Sequence, residues 1–122
     1  MKRDMALVRE ILVFVEAQPA GELIQDVSVN CDDKHVLAEH IRLMIQAGLL
    51  DGEARVDREQ GSHVLIEGLT WEGNDFLAAI RNDTVWNRLL AKAKEIGVAM
   101  TLELAKELGK KYLRELAGLP GK

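Results

Sequence analysis

The sequence predicts an α+β fold in which a β-hairpin lies between helices. The first observation is an amphipathic helical pattern over residues 32–47, which closes with Ala-Gly-Leu-Leu at residues 47–50. The second is an alternation of apolar residues around a Gly61-Ser62 turn, which is typical of a hairpin. The third is Leu-Thr-x-x-Gly at residues 69–73, where a strand ends and a helix begins. Helix, hairpin and helix in this order is the arrangement of a winged helix.

The N-terminal part is predicted to be a helix over residues 3–18 followed by a short extended segment. Apolar residues recur at helical spacing in this helix, namely Leu7, Val8, Ile11, Leu12 and Val15. Pro19 ends it. Residues 23–29 favour an extended segment or a short strand, and Asn30 or Asp32 is predicted to cap the next helix.

A second helix is predicted over residues 32–47, with one apolar and one polar face. Its inward face is predicted to carry Val36, Leu37, His40, Ile41, Leu43 and Met44. Its outward face is predicted to carry Lys34, His35, Ala38, Glu39, Arg42 and Gln46. Gly48 suits the left-handed position that follows a helix. Strands over residues 49–57 and 62–69 then form the hairpin, with its tip at residues 57–62.

Three helices are predicted after the hairpin. Thr70 caps the first of them, whose apolar face consists of Trp71, Phe76, Leu77 and Ile80. Asn82-Asp83 separates it from a helix over residues 84–96, whose inward residues are Val85, Trp86, Leu89, Leu90 and Ala93. Gly97 ends that helix, and Thr101 caps the last one. This last helix ends at Gly118 and Pro120 and has on one side Leu104, Ala105, Leu108, Tyr112 and Leu116.

A length of 122 residues suits a single domain, with a winged-helix core over residues 1–81 and a helical extension over residues 82–122. Hydrophobic residues make up 48% of the chain, which is enough for a core. No apolar run approaches the roughly 20 residues of a membrane span, and the acids among the first ten residues argue against a signal peptide. Cys31 is the single cysteine and is compatible with a reducing compartment. We therefore predict a cytoplasmic protein.

The sequence contains no recognisable catalytic constellation, and we predict neither an enzyme nor a cofactor. It lacks a glycine-rich phosphate loop and a His-Glu-x-x-His pattern. The favoured interpretation is that Cys31 is a buried thiol and that His40 is half-buried and bonded to the backbone. The alternative is a zinc site built from Cys31, His35 and an acid. Asp32 and Asp33 suit the positive end of a helix better than a metal pair. No metal is therefore predicted.

Several segments of the chain resemble those of a known group of proteins. These segments are Met1-Lys-Arg-Asp-Met, His40-Ile-Arg-Leu, Ala47-Gly-Leu-Leu50 and Leu69-Thr-Trp-Glu-Gly-x-x-Phe-Leu-x-x-Ile-Arg-x-Asp83. Over most of the chain they resemble a family of short bacterial winged-helix proteins of unknown function, common in prophages and phage-related islands. YjcQ-like proteins share the same plan. The resemblance implies a winged-helix fold, cytosolic residence and a link to mobile elements, and it brings no catalytic residues.

The first functional hypothesis is a DNA-binding transcriptional regulator. The helix over residues 32–47 would enter the major groove of double-stranded DNA, and the hairpin tip would touch phosphate or the minor groove. The side chains placed to contact DNA are Lys34, His35, Arg42, Gln46, Arg55 and Arg58. Trp71 and Trp86 are predicted to fill the core, with a stacking platform for bases as the alternative.

The charge of the chain supports a second hypothesis, an acidic protein-interaction module. The net charge is -4, whereas nucleic-acid-binding proteins usually present a basic face. Residues 32–47 carry two cations against three acids, and residues 51–61 carry two arginines against four acids. Such a surface suits a basic partner or the mimicry of DNA, as in a phage accessory or anti-defence factor. We predict DNA binding first and keep the interaction module as the alternative.

The two C-terminal helices are predicted to form a homodimer interface. They lie beyond a complete winged-helix unit, and two-fold contacts are the commonest in oligomers. The predicted interface residues are Val85, Trp86, Leu89, Leu104, Leu108, Tyr112 and Leu116. The alternative is that both helices close the core of a single chain.

Overall fold

The computed structural model describes residues 1–119, which form five helices and one antiparallel hairpin. The elements are α1 (Met5–Glu16), α2 (Lys34–Gln46), β1 (Leu50–Arg55), β2 (His63–Leu69), α3 (Trp71–Ile80), α4 (Asp83–Ile96) and α5 (Leu102–Leu116). The predicted α+β class and order of elements are confirmed. The predicted helix end at Pro120 lies outside the described residues. Within the described part, none of the helices is long and apolar enough to cross a membrane.

The chain forms two compact units that divide after Asn74, inside α3. The first unit holds α1, α2, the hairpin and the first turn of α3. The second holds the rest of α3 together with α4 and α5. The winged-helix core over residues 1–81 and the extension that follows it remain predictions.

α1 supplies a large part of the core of the first unit. Asp4 caps this helix, because its carboxylate accepts hydrogen bonds from the backbone N–H groups of Ala6 and Leu7. Its predicted apolar residues are all buried, namely Leu7, Val8, Ile11, Leu12 and Val15. Burying a side chain of this kind contributes roughly 1.5–3 kcal/mol. This stripe therefore holds α1 against α2 and β2, which it contacts.

α2 begins at Lys34, and its cap differs from the prediction. Asp33, rather than Asn30 or Asp32, accepts the hydrogen bonds of the first turn. Ala38 was predicted to face outward, but it is 2% exposed. Alanine suits either face of a helix, so apolar spacing alone could not place it.

His40 is buried and uses both of its ring nitrogens. Nδ1 lies 2.8 Å from the carbonyl oxygen of Val36 and carries the proton, because that oxygen can only accept. Nε2 accepts a hydrogen bond of 2.9 Å from the backbone N–H of Asp4. The predicted bond to the backbone is confirmed, whereas the predicted half-burial is wrong, since His40 is 1% exposed. The neutral ring thereby joins the start of α1 to α2.

The two strands pair as predicted, from Leu50–Leu69 at the base of the hairpin to Arg55–His63 near its tip. The register shifts by one residue next to Gly52, which marks a β-bulge. The hairpin is therefore regular toward the tip and bent near the base.

The segment after α1 meets the outer edge of β2 at one point. Ile24 and Ile66 exchange two backbone hydrogen bonds of 2.9 Å each. This bridge confirms the extended segment predicted within residues 23–29. Residues 25–33 then lead to α2 without a helix or a strand.

Two segments singled out in the sequence, Ala-Gly-Leu-Leu and Leu-Thr-x-x-Gly, meet in one joint. The Thr70 hydroxyl donates to the carbonyl oxygen of Gly48 at 2.6 Å and accepts from the N–H of Gly73 at 2.8 Å. The N–H of Thr70 donates to the carbonyl oxygen of Leu49 at 3.1 Å. Gly48 has the predicted left-handed backbone, with a φ of 79°. Thr70 therefore closes the base of the hairpin and caps α3, as predicted.

Trp71 does not join the core, and its predicted inward position is wrong. The residue is 83% exposed. A helix turns by about 100° per residue, which sets Trp71 opposite the buried Ile80. The inward position in the first turn belongs to Gly73, which is buried close to the backbone of Leu49. Gly73, and not Trp71, therefore lies on the buried face of α3 that carries Leu77 and Ile80.

In the second unit, α4 and α5 contact each other. Asn82 caps α4, Gly97 ends it with a φ of 80°, and Thr101 caps α5. The buried apolar residues of this unit are Phe76, Leu77, Ala79, Ile80, Val85, Trp86, Leu89, Ala93, Ala105 and Tyr112. Leu90 was predicted to face inward but is 44% exposed.

One cation bridges the two helices of this unit on their surface. The guanidinium of Arg88 lies 4.0 Å from the centre of the Tyr112 ring and pairs with Glu115 at 2.9 Å. A cation over an aromatic face is attracted by the negative face of the ring. Arg88 of α4 therefore contacts two residues of α5 at once.

Candidate functional site

The structure places the six residues predicted to contact DNA in three settings. The structure distributes them among a groove (Lys34 and Arg55), contacts that fasten the hairpin tip (His35 and Arg58) and the outward face of α2 (Arg42 and Gln46).

The hairpin tip is fastened to the start of α2 by two contacts, which we call the clasp. Arg58 donates from Nη2 to Oδ2 of Asp33 at 2.9 Å. Nδ1 of His35 lies 2.7 Å from Oγ of Ser62, and the same oxygen accepts from the N–H of Asp57 at 3.0 Å. The clasp therefore holds the tip against the first turn of α2.

Two carboxylates organise the clasp. Oδ1 of Asp33 caps α2 while its Oδ2 meets Arg58. The hydrogen bond from Arg58 is the largest cause that lowers the pKa of Asp33. Hydrogen bonds from the backbone N–H groups of Gln60 and Glu59 lower the pKa of Asp57. Both carboxyls therefore favour the charged form.

We expect the clasp to open in acid. A carboxylate whose pKa is lowered by folding stabilises the fold above its unfolded pKa and loses that contribution as the pH falls through the lower folded value. Below about pH 4, the ordinary range for Asp, the backbone amide resonances of His35 and Gln60 should therefore shift together in an NMR titration.

Asp33→Asn tests whether the carboxylate itself holds the tip. Asparagine can still cap α2, but it has no charge to hold Arg58. The amide resonances of the tip should then resemble the acid form at pH 7. Asp32→Asn is the matched control, because Asp32 takes no part in the clasp. Equal shifts in both variants would contradict the assignment.

Arg42 is held by a residue of its own helix. Its Nε and Nη2 donate to the two carboxylate oxygens of Glu39, at 2.6 and 2.9 Å. This hydrogen bonding lowers the pKa of Glu39 and raises the pKa of Arg42. A guanine edge is read by the same two-pronged geometry. The ion pair must therefore open before Arg42 can contact a base.

A groove of about 870 Å³ lies between the start of α2, the hairpin and residues 25–28. Its volume falls within the roughly 300–1,000 Å³ of ligand pockets. The apolar part of its lining is Val27, Leu37, Ala38, Ala54, Val64 and Leu65, and the charged part is Asp26, Lys34, Glu53 and Arg55. Leu37 was predicted to be a core residue but is partly exposed, because it lines this groove.

The acids that hold the arginines were not among the predicted site residues. Glu39 lies three residues before Arg42, a spacing that favours ion pairs on a helix, so this partner was open to prediction. Asp33 and Arg58 are 25 residues apart, and no sequence signal connects them.

The predicted dimer residues are mostly buried within the single chain. Four of them are 1–6% exposed, namely Val85, Trp86, Leu89 and Tyr112. Leu104 and Leu108 are partly exposed, and Leu116 is 52% exposed. The homodimer remains a prediction, and it now depends on these three leucines.

Among residues 1–119, no three His, Cys, Asp or Glu side chains come together in a way that could hold a metal ion. Cys31, which was predicted to be buried, is half-buried. Its Sγ lies 3.5 Å from the carbonyl oxygen of Asp33.

Comparison with known proteins identifies the family of the chain. Residues 2–99, which include α1 through α4, match a family model described as "Hypothetical protein (DUF2513)". An uncharacterized protein of Haemophilus influenzae is 31% identical over 118 residues, covering 95% of this chain and 98% of that relative. No solved structure matches the chain. The predicted membership of a family of unknown function is confirmed, and the chain belongs to the DUF2513 family.

Proposed function

We propose that residues 1–81 form a winged-helix unit. The order of α1, the Ile24 bridge, α2, the hairpin and α3 supports this assignment. The clasp supports it as well, because it holds the hairpin beside α2 as a wing. Residues 25–33 are not helical. The unit therefore lacks the helix that, in helix-turn-helix proteins, lies directly before the recognition helix and is joined to it by a short turn.

This unit serves as an acidic protein-interaction module that binds a basic surface of a partner. One observation carries the proposal: the arginines placed to contact DNA already face carboxylates of their own chain. The pairs are Arg42–Glu39 at 2.6 Å, Arg58–Asp33 at 2.9 Å and Arg55–Asp57 at 3.8 Å. A phosphate would have to compete with each of these carboxylates.

The surrounding charge supports the same function. Residues 22–34 carry four acids against one lysine, and residues 51–67 carry five acids against two arginines. Phosphate contacts supply much of the affinity of DNA-binding proteins, and an excess of acids opposes them. The same excess attracts and steers a basic protein surface. The resemblance to phage-associated proteins favours a host or phage protein in the cytoplasm as the partner.

A DNA-binding transcriptional regulator is the second candidate function. The exposure of the ion pairs favours it. The side chains of Arg58 and Asp33 are 66% and 42% exposed, and such surface pairs are worth only about 0–1 kcal/mol. DNA could therefore displace the carboxylates at a small cost and contact the arginines together with Lys34.

A salt-dependent titration separates the two functions. The full chain is mixed with fluorescent duplexes of mixed sequence at about 50 and 200 mM salt, the range over which a protein with 6–10 phosphate contacts loses roughly 10³–10⁵ in affinity. The interaction module predicts no binding at either concentration. Binding at the lower concentration that weakens steeply at the higher one would overturn it in favour of the regulator.

Charge reversal also distinguishes the interaction module from the DNA-binding regulator, by its effect on partner binding. Glu53→Lys with Glu59→Lys converts two exposed acids of the hairpin into cations. An interaction module should lose the partner that cross-linking recovers with the wild-type chain, and should still not bind DNA. A DNA reader should instead bind duplexes more tightly. Glu103→Lys with Glu107→Lys in α5 is the control, because it changes the net charge equally outside the hairpin.

A further inference from the structure

The outer edge of β2 is paired at Ile66 but open at Val64. Residues of an antiparallel strand alternate between bonding one neighbour and facing the other edge. Ile66 uses its N–H and C=O on Ile24, so Val64, two residues away, presents its own N–H and C=O to the same edge. Among residues 1–119, no backbone partner of Val64 is found at that edge.

This open position faces the groove. Val64 and Leu65 line one side of the groove, and residues 25–28 line a second side. The chain leaves the edge of β2 at these residues, directly after the Ile24 bridge. Leu37, Val64 and Leu65 are each half-buried. The groove thus combines an unpaired backbone donor and acceptor with apolar side chains that are not fully covered. Unpaired backbone groups at a strand edge can form hydrogen bonds with a further strand.

We propose that the groove binds an extended segment of the partner protein, which pairs with Val64 and continues the strand contact that Ile24 begins. The inference rests on the proposed interaction module and specifies how that module holds its partner. Peptides that add a strand to a sheet edge gain affinity from backbone hydrogen bonds and specificity from alternate side chains.

The charges around the groove define the segment further. The stretches on both sides of the groove, residues 22–34 and 51–67, carry an excess of acids, and Asp26 and Glu53 belong to the lining itself. The apolar lining suits one or two apolar side chains. The segment is therefore apolar at its centre and carries Lys or Arg on either side.

Selection from a random octapeptide library, with the immobilised full chain as bait, tests the proposal. The selected peptides should have an apolar centre with basic flanks, and they should bind more weakly at high salt. Hydrogen exchange should show that binding protects the amide of Val64. A library without binders, or binders that protect other amides and leave Val64 unchanged, would overturn the proposal.

Val64→Pro removes the N–H that the proposal requires. Proline is tolerated on an edge strand where its nitrogen faces away from the ladder, and Val64→Ala is the matched control that keeps the N–H. Val64→Pro should weaken the selected peptides about tenfold or more, whereas Val64→Ala should leave most of the affinity. Equal affinities for both variants would contradict strand pairing. If Val64→Pro does not fold, the amide protection measured on the wild-type chain decides alone.

Failure of the groove proposal can be distinguished from failure of the proposed interaction module. DNA binding at low salt would overturn the interaction module and would leave peptide binding in the groove to be judged by its own data. Recovery of a basic partner without protection of Val64 would retain the module and reject the groove.

Discussion

Replacing Gly73 by alanine is expected to lower the free energy of unfolding by about 3 kcal/mol, the upper end of what overpacking usually costs. A Cβ at this position would overlap the carbonyl oxygen of Leu49. That oxygen accepts the N–H of Thr70, so it cannot move without disturbing the base of the hairpin. The first turn of α3 would have to shift instead and break the bond between Gly73 and Thr70. Urea unfolding followed by circular dichroism measures the loss.

Gly109→Ala is the matched control, because it makes the same substitution in a helix of the second unit. A Cβ there would meet Ile80, Ala79 and Leu89 only at ordinary contact distances of 3.5–3.9 Å. Alanine favours a helix over glycine by up to about 1 kcal/mol, so this variant should be neutral or slightly more stable. If Gly73→Ala behaved in the same way, the close approach of α3 to Leu49 would be refuted.

Gly52→Ala is expected to be the second large destabilisation, of about 2–4 kcal/mol from backbone strain together with overpacking. Gly52 lies at the bulge with a φ of 152°, a region that residues with a Cβ rarely adopt. A Cβ would also overlap the carbonyl oxygen of Leu65 on the facing strand. The ladder must therefore separate at this point. Hydrogen exchange of the hairpin amides, together with urea unfolding, reports the effect.

Gly68→Ala separates the two causes. Gly68 has a similar φ of 159°, but a Cβ there meets nothing within 4 Å. Gly68→Ala should therefore lose only the free energy that backbone strain costs, about 1–3 kcal/mol. The difference between the two variants measures the steric overlap with Leu65. Equal losses would show that the close approach of the strands at Gly52 contributes nothing.

The elements of the fold were predictable because their signals are local. The apolar stripe of α1, the turn around Gly61 and the cap at Thr70 each depend on neighbouring residues. The errors arose where a tertiary contact decided the outcome. Trp71 has the hydropathy of a core residue, but the close approach at Gly73 reserved the inward position for a residue without a side chain.

The candidate site was less predictable for the same reason. The sequence placed cations on the outward surface but could not show that Asp33 is 2.9 Å from Arg58, since the two are joined only when the hairpin folds back. The groove could not be predicted either. Leu37 has the spacing of a core residue, and only the structure shows that no other segment covers it.

The joint at Thr70 closes the hairpin at its base, so that the length of its tip can vary. The chain leaves the frame of the first unit at Gly48 and returns to it at Thr70, whose hydroxyl bonds the Gly48 carbonyl. Doubling the length of a flexible loop that is closed at its base costs only about 0.6 kcal/mol. A longer tip should therefore cost little stability beyond the loss of the clasp, as long as Leu50 stays paired with Leu69 at the base.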